Sequence, residues 1–494
     1  MLTGRIDVTD DRTRTADDHS TTPVENGDLS RCYPARRLIN PHIVRHSPHS
    51  ENRMFGTSGI RGRVGDEVTA ATALEVGRAV ASEGYDRVVV GRDVRESGAM
   101  LVDAVAAGLC ECGADVVTVG VEATPTVARA IDHLEADAGV VITASHNPAT
   151  DNGIKLWTPS GKAFGPDQRD AIERRVREDD YELADWEGIG DRTHRAGVRD
   201  HHADALSEAI DLERTPSVVV DIGNGTGGVT ASVLDELGCQ VRTLNGQRDG
   251  SFPGRPSEPT AETLETLSTL VAETDAEIGL AHDGDADRML AVDETGAFVP
   301  KDVLLALFAR DAAGEGERVA APVDTSLAVD DALAAVGASV TRTRVGDVYV
   351  AERTTEPDVV FGGEPSGAWI WPTETRCPDG PLAACKLVEL VADQGSLSDL
   401  VGEIERYPIR RTSVEVEDKR AAMAAVRRRV DERYDEVDTL DGVRVETEAG
   451  WFLLRASGTQ PLIRVTAEAR SPADADDLFD TAQSLLAEAI PSSA

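Results

Sequence analysis

Four polar clusters, each at the end of an apolar run, carry residue types suited to phosphate chemistry. The first is Thr143-Ala-Ser-His-Asn-Pro148, directly after Ala138-Gly-Val-Val-Ile142. That run predicts a buried strand, and Pro148 keeps the next residues out of a helix. A hydroxyl at such a spill-over point lies where open α/β sheets bind ligands. Ser145 is therefore the candidate group to carry phosphate. His146 is its neighbour. Adjacent residues on a strand face opposite ways, so His146 is expected to contact phosphate or serve structure, not to act on Ser145.

The second cluster is Asp283-Gly-Asp-Ala-Asp-Arg288, behind the apolar run Ala276 to Ala281. Asp283, Asp285 and Asp287, at alternate positions of a turn, can face one hard cation. A solvated acidic turn is the plainer alternative in so acidic a chain. A calcium loop is excluded, because Arg288 fills the place where that loop requires glycine. Arg288 beside three carboxylates points to phosphate held together with a metal. Glu364 and Ser366 in Gly362-Gly-Glu-Pro-Ser-Gly367 offer acceptors for sugar hydroxyls, although the segment also reads as a simple turn. Arg455, Ser457, Gly458 and Thr459 in Arg455-Ala-Ser-Gly-Thr-Gln-Pro461 make a phosphate cradle or, equally, a polar turn. Arg61 adds a guanidinium fork in the glycine-rich turn Phe55-Gly-Thr-Ser-Gly-Ile-Arg-Gly62. Lys155, ten residues past Ser145, is one of only five lysines in the chain. Its ammonium could offset phosphate charge and shuttle a proton.

These clusters need strands to present them. The pattern predicts a helix over 70–83, a strand over 87–93, a helix over 98–112 and a strand over 115–121, leading to Ser145. A strand from Ser217 enters a glycine loop and a helix to about Leu237, and a third round begins at Lys301. Past Arg406 the pattern changes: strands near 409–416, 451–454 and 462–467, with helices from Asp418 and Pro472. The expected architecture is α/β: three tandem βα-type domains with mixed sheets, plus a smaller α+β C-terminal domain. The expected boundaries are 54–195, 196–298, 299–405 and 406–494.

The 494 residues hold 89 acidic and 50 basic side chains, a net charge of −39. Such a surface repels nucleic acid and anionic membranes. Acid-rich, lysine-poor composition fits life in high salt, where screening removes self-repulsion. The six cysteines form no C-x-x-C pair and read as reduced thiols of a cytoplasmic protein. No apolar run reaches membrane-spanning length. Residues 1–53 hold eight acidic and eight basic residues and four of the ten histidines. They read as a disordered arm or, preferably, as upstream sequence translated ahead of a natural start at Met54.

With all four motifs in order from Met54 onward, the chain resembles the α-D-phosphohexomutase superfamily. The resemblance implies four domains around a deep central cleft, a phosphoserine at Ser145, and Mg²⁺ held by Asp283, Asp285 and Asp287 with that phosphate. It implies sugar hydroxyls on Glu364 and Ser366, and the non-reacting phosphate on Arg455, Ser457, Gly458 and Thr459. Arg61, Lys155 and Arg288 match positions lining the reaction centre. The implied reaction interconverts hexose or hexosamine 6- and 1-phosphates through a hexose bisphosphate, which also serves as activator; the protein would be a monomer or homodimer. Val345-Gly-Asp-Val-Tyr-Val350 and Ser457-Gly-Thr-Gln-Pro461 are most similar to the phosphoglucosamine mutase branch, with a broad phosphomannomutase/phosphoglucomutase as the alternative. Two departures stand out. Ala368 replaces a histidine often found there, which leaves Lys155 as the candidate acid/base, and Gln460 replaces a glutamate. A phosphatase that passes phosphoserine to water, or a non-catalytic sugar-phosphate sensor, are the readings from other classes.

Overall fold

The structure is a computed structural model that describes residues 54–490 apart from 57, 58 and 459. Residues 1–53 and Thr459 therefore lie outside the described residues. The chain builds four sheets. The first has six strands in the order β1-β5-β4-β2-β3-β6: β1 (Ile60–Arg63), β2 (Arg87–Arg92), β3 (Asp115–Val121), β4 (Ala138–Ile142), β5 (Asp151–Trp157) and β6 (Arg192–His194). β2, β3, β4 and β6 run parallel, whereas β5 returns antiparallel between β4 and β1. Every residue of β4 is buried, the reason its apolar run is unbroken. Helices 70–82 and 98–111 pack on one face and helix 124–133 on the other.

The second sheet, β10-β9-β7-β8, comprises β7 (Ser217–Asp221), β8 (Gln240–Leu244), β9 (Ile278–His282) and β10 (Met289–Asp293). The third, β12-β11-β13-β14, comprises β11 (Arg318–Pro322), β12 (Ser339–Thr343), β13 (Val359–Glu364) and β14 (Ala368–Ile370). Both resemble the first in having parallel strands followed by one antiparallel return strand, but here that strand, β10 or β14, is the edge, with no counterpart of β1 beyond it. The fourth sheet, β15-β18-β17-β16, is wholly antiparallel. It comprises β15 (Ile409–Glu415), β16 (Val443–Glu446), β17 (Gly450–Ala456) and β18 (Leu462–Ala469), backed by helices 419–431 and 472–489. The α/β architecture with mixed sheets and a distinct last domain agrees with the expectation from the sequence.

One finding was not anticipated. The second and third sheets share a single apolar core running from Leu206 through Val220, Leu304, Phe361 and Trp369 to Ile404. The C-terminal sheet has its own core and meets the third through Val323, Trp451 and Leu453. Arg444 lies 4.1 Å from the Trp451 ring, and Glu468 accepts from Leu327 N at 2.7 Å and Trp451 Nε1 at 2.9 Å. The five described cysteines are free. Among the described residues no helix is long and apolar enough to cross a membrane.

Candidate active site

Each cluster singled out above sits in the connection between two antiparallel neighbours. Ser145 lies between β4 and β5, Asp283–Arg288 between β9 and β10, and Pro365–Gly367 between β13 and β14, with Glu364 the last residue of β13. Ser457–Pro461 lies between β17 and β18, with Arg455 near the end of β17. In the first three sheets the chain must turn back at the carboxyl end of a parallel strand, so the loop is held at both ends by the ladder.

The first two loops meet. Ser145 is fully buried, with φ 51°, a left-handed conformation that costs a non-glycine residue free energy unless its surroundings enforce it. They do. Ser145 N–H donates to Thr143 Oγ1 at 2.8 Å. Its carbonyl accepts from Arg95 Nη2 and from Ser257 Oγ, both at 2.8 Å. The hydroxyl then points at the aspartates: Oγ donates to Asp283 Oδ2 at 2.7 Å and lies 3.3 Å from Asp287 Oδ1. Asp283, Asp285 and Asp287 are buried and offer oxygens within 4.8 Å of one another. Lys155, on β5, donates to Asp285 Oδ2 at 2.9 Å and also to Asp287. Thr124 Oγ1 donates to Asp285 Oδ2 at 2.6 Å.

The electrostatics follow from this crowding. Burial, with Asp287 and Asp285 alongside, pushes the Asp283 carboxyl well up. Burial would also raise Asp285, but Lys155 and Thr124 more than offset it and hold Asp285 below the usual range. Lys155 is the converse: burial lowers it, and the two aspartates more than restore its proton affinity. A Lys155 that shuttles protons starts as the acid. His146 was expected to face away from Ser145. Instead its Nδ1 lies 3.3 Å from Ser145 Oγ, because the left-handed turn at Ser145 abolishes strand alternation. Burial, then Arg288, Arg61 and Lys155, lower His146 to about 2, so its ring is neutral. Arg61 belongs to strand β1 and not to a turn; its Nε is buried without a hydrogen-bond partner among the described residues. Arg288 N–H donates to Asp283 Oδ1 at 3.2 Å, and its guanidinium lies 4.0 Å from both Asp287 and Glu258.

The third loop docks on the second. Arg288 bridges Ala368, and Met289 N–H donates to the Gly367 carbonyl at 3.0 Å. β13 continues to Glu364 through Gly363, where a Cβ would come within 2.4 Å of Leu305 Cδ1. Glu364 thus closes a strand and faces the carboxylates of Asp347 and Asp324. Burial and Asp347 raise it to about 7 despite Arg288. The fourth loop stands apart. Arg455 pairs with Asp441 at 3.3 Å, and Ser457 Oγ accepts from Gln460 N–H at 3.2 Å. Lys419 Nζ grips the loop from behind, donating to the carbonyls of Ser457 at 2.6 Å and Gln460 at 2.7 Å. Among the described residues no hydrogen bond or ion pair joins this loop to the Ser145 cluster.

Sequence reasoning missed Arg95, Thr124, Ser257 and Lys419. Arg95 is fully buried and also bonds Asp93 Oδ2 at 2.9 Å, Asn147 O at 2.6 Å and Asp151 O at 2.9 Å. Its signal was Asp93-Val-Arg95, a carboxylate and a guanidinium two residues apart just past the Val88-Val-Val90 run of β2. For Lys419 it was the same lysine scarcity that marked Lys155.

A metal fits the aspartate loop. All candidate donors are oxygens, as hard divalent cations require, and Asp285 Oδ1 is buried with no hydrogen-bond partner among the described residues, which is rare for a buried polar atom.

The same order of domains recurs in known proteins. The chain matches the phosphoglucomutase/phosphomannomutase family as alpha/beta/alpha domain I over residues 52–183, domain II over 200–296 and domain III over 300–407, with the C-terminal domain over 412–483. A Methanococcoides burtonii protein named "Probable phosphoglucosamine mutase" is 45% identical over 441 residues, covering 89% of this chain and 100% of that one. A Methanopyrus kandleri protein of the same name is 45% identical over 437 residues, covering 87% and 96%. A crystal structure of a phosphoglucomutase/phosphomannomutase family protein from Burkholderia thailandensis superposes with TM-score 0.80 at 30% identity, covering 89% of this chain and 98% of that one. With every domain matched in order and relatives this near across most of the length, the chain belongs to the phosphoglucomutase/phosphomannomutase family of phosphohexomutases.

Proposed function

We propose that this protein is a phosphoglucosamine mutase that moves a phosphoryl group between O6 and O1 of a glucosamine phosphate by way of phospho-Ser145. The observation that carries the reading is the convergence on Ser145 Oγ: Asp283 at 2.7 Å, Asp287 at 3.3 Å and the neutral His146 ring at 3.3 Å. The substrate choice draws on the names of the relatives at 45% identity.

Asp283, Asp285 and Asp287 would hold Mg²⁺ with the Ser145 phosphate, and the ion would supply charge neutralisation at the transferring oxygens. The rest falls to side chains. Phospho-Ser145 gives its phosphoryl group to the free sugar hydroxyl: the new O–P bond forms as Oγ–P breaks, and Lys155 gives a proton to the departing Oγ and takes the sugar hydroxyl's proton in its place. Arg61, Arg288 and Lys155 offset charge on the equatorial oxygens. Glu364 and Ser366 accept from sugar hydroxyls, while Arg455, Ser457, Gly458 and Thr459 hold the distal phosphate. The bisphosphate turns end for end and returns its other phosphate to Ser145, so no nucleotide is consumed. His146, neutral and beside Oγ, donates or accepts a hydrogen bond without adding charge. We read the acid-rich surface as an adaptation to a saline cytoplasm.

Incubation with radiolabelled hexose bisphosphate tests this. Label should appear on the peptide bearing Ser145, and Ser145→Ala should lose label and lower turnover by about three orders of magnitude or more. Normal turnover in Ser145→Ala would sink the proposal. Phosphate release to water from hexose 1-phosphate would move it to a phosphatase, and kcat/KM across glucosamine, glucose and mannose phosphates ranks the sugars.

A further inference from the structure

Two helices begin on the aspartate loop. In helix Thr124–His133 the first residue meets Asp285: Thr124 N–H donates to the Asp285 carbonyl at 2.9 Å and its hydroxyl to Oδ2 at 2.6 Å. Helix Gly380–Gln394 arrives from the third domain. Gly380 N–H donates to Ala286 O at 3.3 Å, and a Cβ there would stand 2.4 Å from the Arg288 carbonyl and 2.8 Å from that of Ala286. Glycine is what allows so close an approach. Both helix starts favour the negative charge gathered in the loop.

Behind the loop the same two helices are tied to each other. Asp379 caps the second: Oδ1 accepts from Leu382 N–H at 3.0 Å. Its Oδ2 accepts from Arg129 Nε at 3.0 Å and lies 3.2 Å from His202 Nε2. His202 Nδ1 in turn lies 2.8 Å from Thr126 Oγ1. Thr126 and Arg129 belong to the first helix; His202 comes from a third, Val198–Glu208. Thr126, His202 and Asp379 are all essentially inaccessible to solvent. Burial pushes the Asp379 carboxyl up, and His202 and Arg129 more than offset that, holding it ionised. Nothing in the phosphoryl-transfer reading uses this chain of groups, yet a buried carboxylate with three such partners is costly to keep without a purpose.

We infer that Thr126, His202 and Asp379 form a positioning yoke that fixes the distance between two helix starts, and through them the mutual geometry of Asp283, Asp285 and Asp287 as metal ligands. The inference rests on the reading of those aspartates as a metal site. Thr124 and Gly380 are the contact points, and the yoke is the part that sets their spacing.

The test is a Mn²⁺ titration of the full-length protein by calorimetry, alongside kcat and KM at saturating Mg²⁺. His202→Leu and Asp379→Asn should weaken Mn²⁺ binding by about tenfold to a hundredfold, the usual effect of losing a group that orients a ligand. KM for the sugar phosphate should stay unchanged, and kcat should recover at saturating Mg²⁺. His202→Gln, whose amide can meet both Thr126 and Asp379, should restore most of the affinity. Folded variants that bind Mn²⁺ like the parent would overturn the yoke. If His202→Leu does not fold, Asp379→Asn and Thr126→Val carry the same test. A parent protein that binds no Mn²⁺ would overturn the metal reading itself, a separate outcome.

Discussion

At the scale of single residues, the carboxyl assigned to the sugar is as telling as the groups around Ser145. Burial and Asp347 raise Glu364 to about 7. A raised carboxyl keeps its proton below that value and becomes an acceptor-only carboxylate above it. KM for the sugar phosphate should therefore fall as pH rises through about 7, and the inflection should vanish in Glu364→Gln. A KM that stays flat in the parent would refute the assignment of Glu364 to the sugar. Ala368 stands where the resemblance leads to the expectation of a histidine. Its backbone, bridged to Arg288, still couples the sugar loop to the aspartate loop, so the missing ring leaves that docking intact.

At the scale of elements, the recurring device is a parallel strand that turns back on itself. β4, β9 and β13 were readable because strands buried on both faces write themselves as apolar runs. β5 was not: Asn152 and Lys155 are polar yet buried, since that strand serves the site and breaks the pattern. Helix 380–394 is buried along most of its length and shows only a narrow polar stripe, Lys386, Glu389 and Asp393, which an apolar reading passes over. Ser145, the three aspartates and Lys155 were legible because their spacing is local. Thr124 and Ser257 were illegible because their partners lie in other domains, and sequence carries no mark of such a contact; Arg95 was passed over because most of its partners lie some fifty residues on, within its own domain. Arg95 makes the strongest case for what such contacts hold. Its guanidinium and Asp93 are 1% and 0% exposed, so Arg95→Met strands a buried carboxylate. The variant should lose about 3–5 kcal/mol of stability, read as a drop in denaturation midpoint. A loss under about 1 kcal/mol would show that the Ser145 loop holds its shape without it.

At the scale of the whole molecule, charge sets the working conditions. With 89 acidic against 50 basic residues, self-repulsion weakens the folded state at low ionic strength. Screening shortens from about 10 Å at 0.1 M salt to about 3 Å at 1 M. The thermal midpoint should accordingly rise by about 5–10 °C over that range, a shift of a few kcal/mol. A midpoint that fell or stayed level would remove the high-salt interpretation. The same scale shows where motion is permitted. The carbonyl of Ser145 is clasped from one side by Arg95 of the first domain and from the other by Ser257 of the second. A seat fastened at both arms cannot swivel to follow its rider. In the proposed cycle the reorientation thus falls to the sugar, which must be let go by the groups that hold its far phosphate, turn end for end, and be caught by them again.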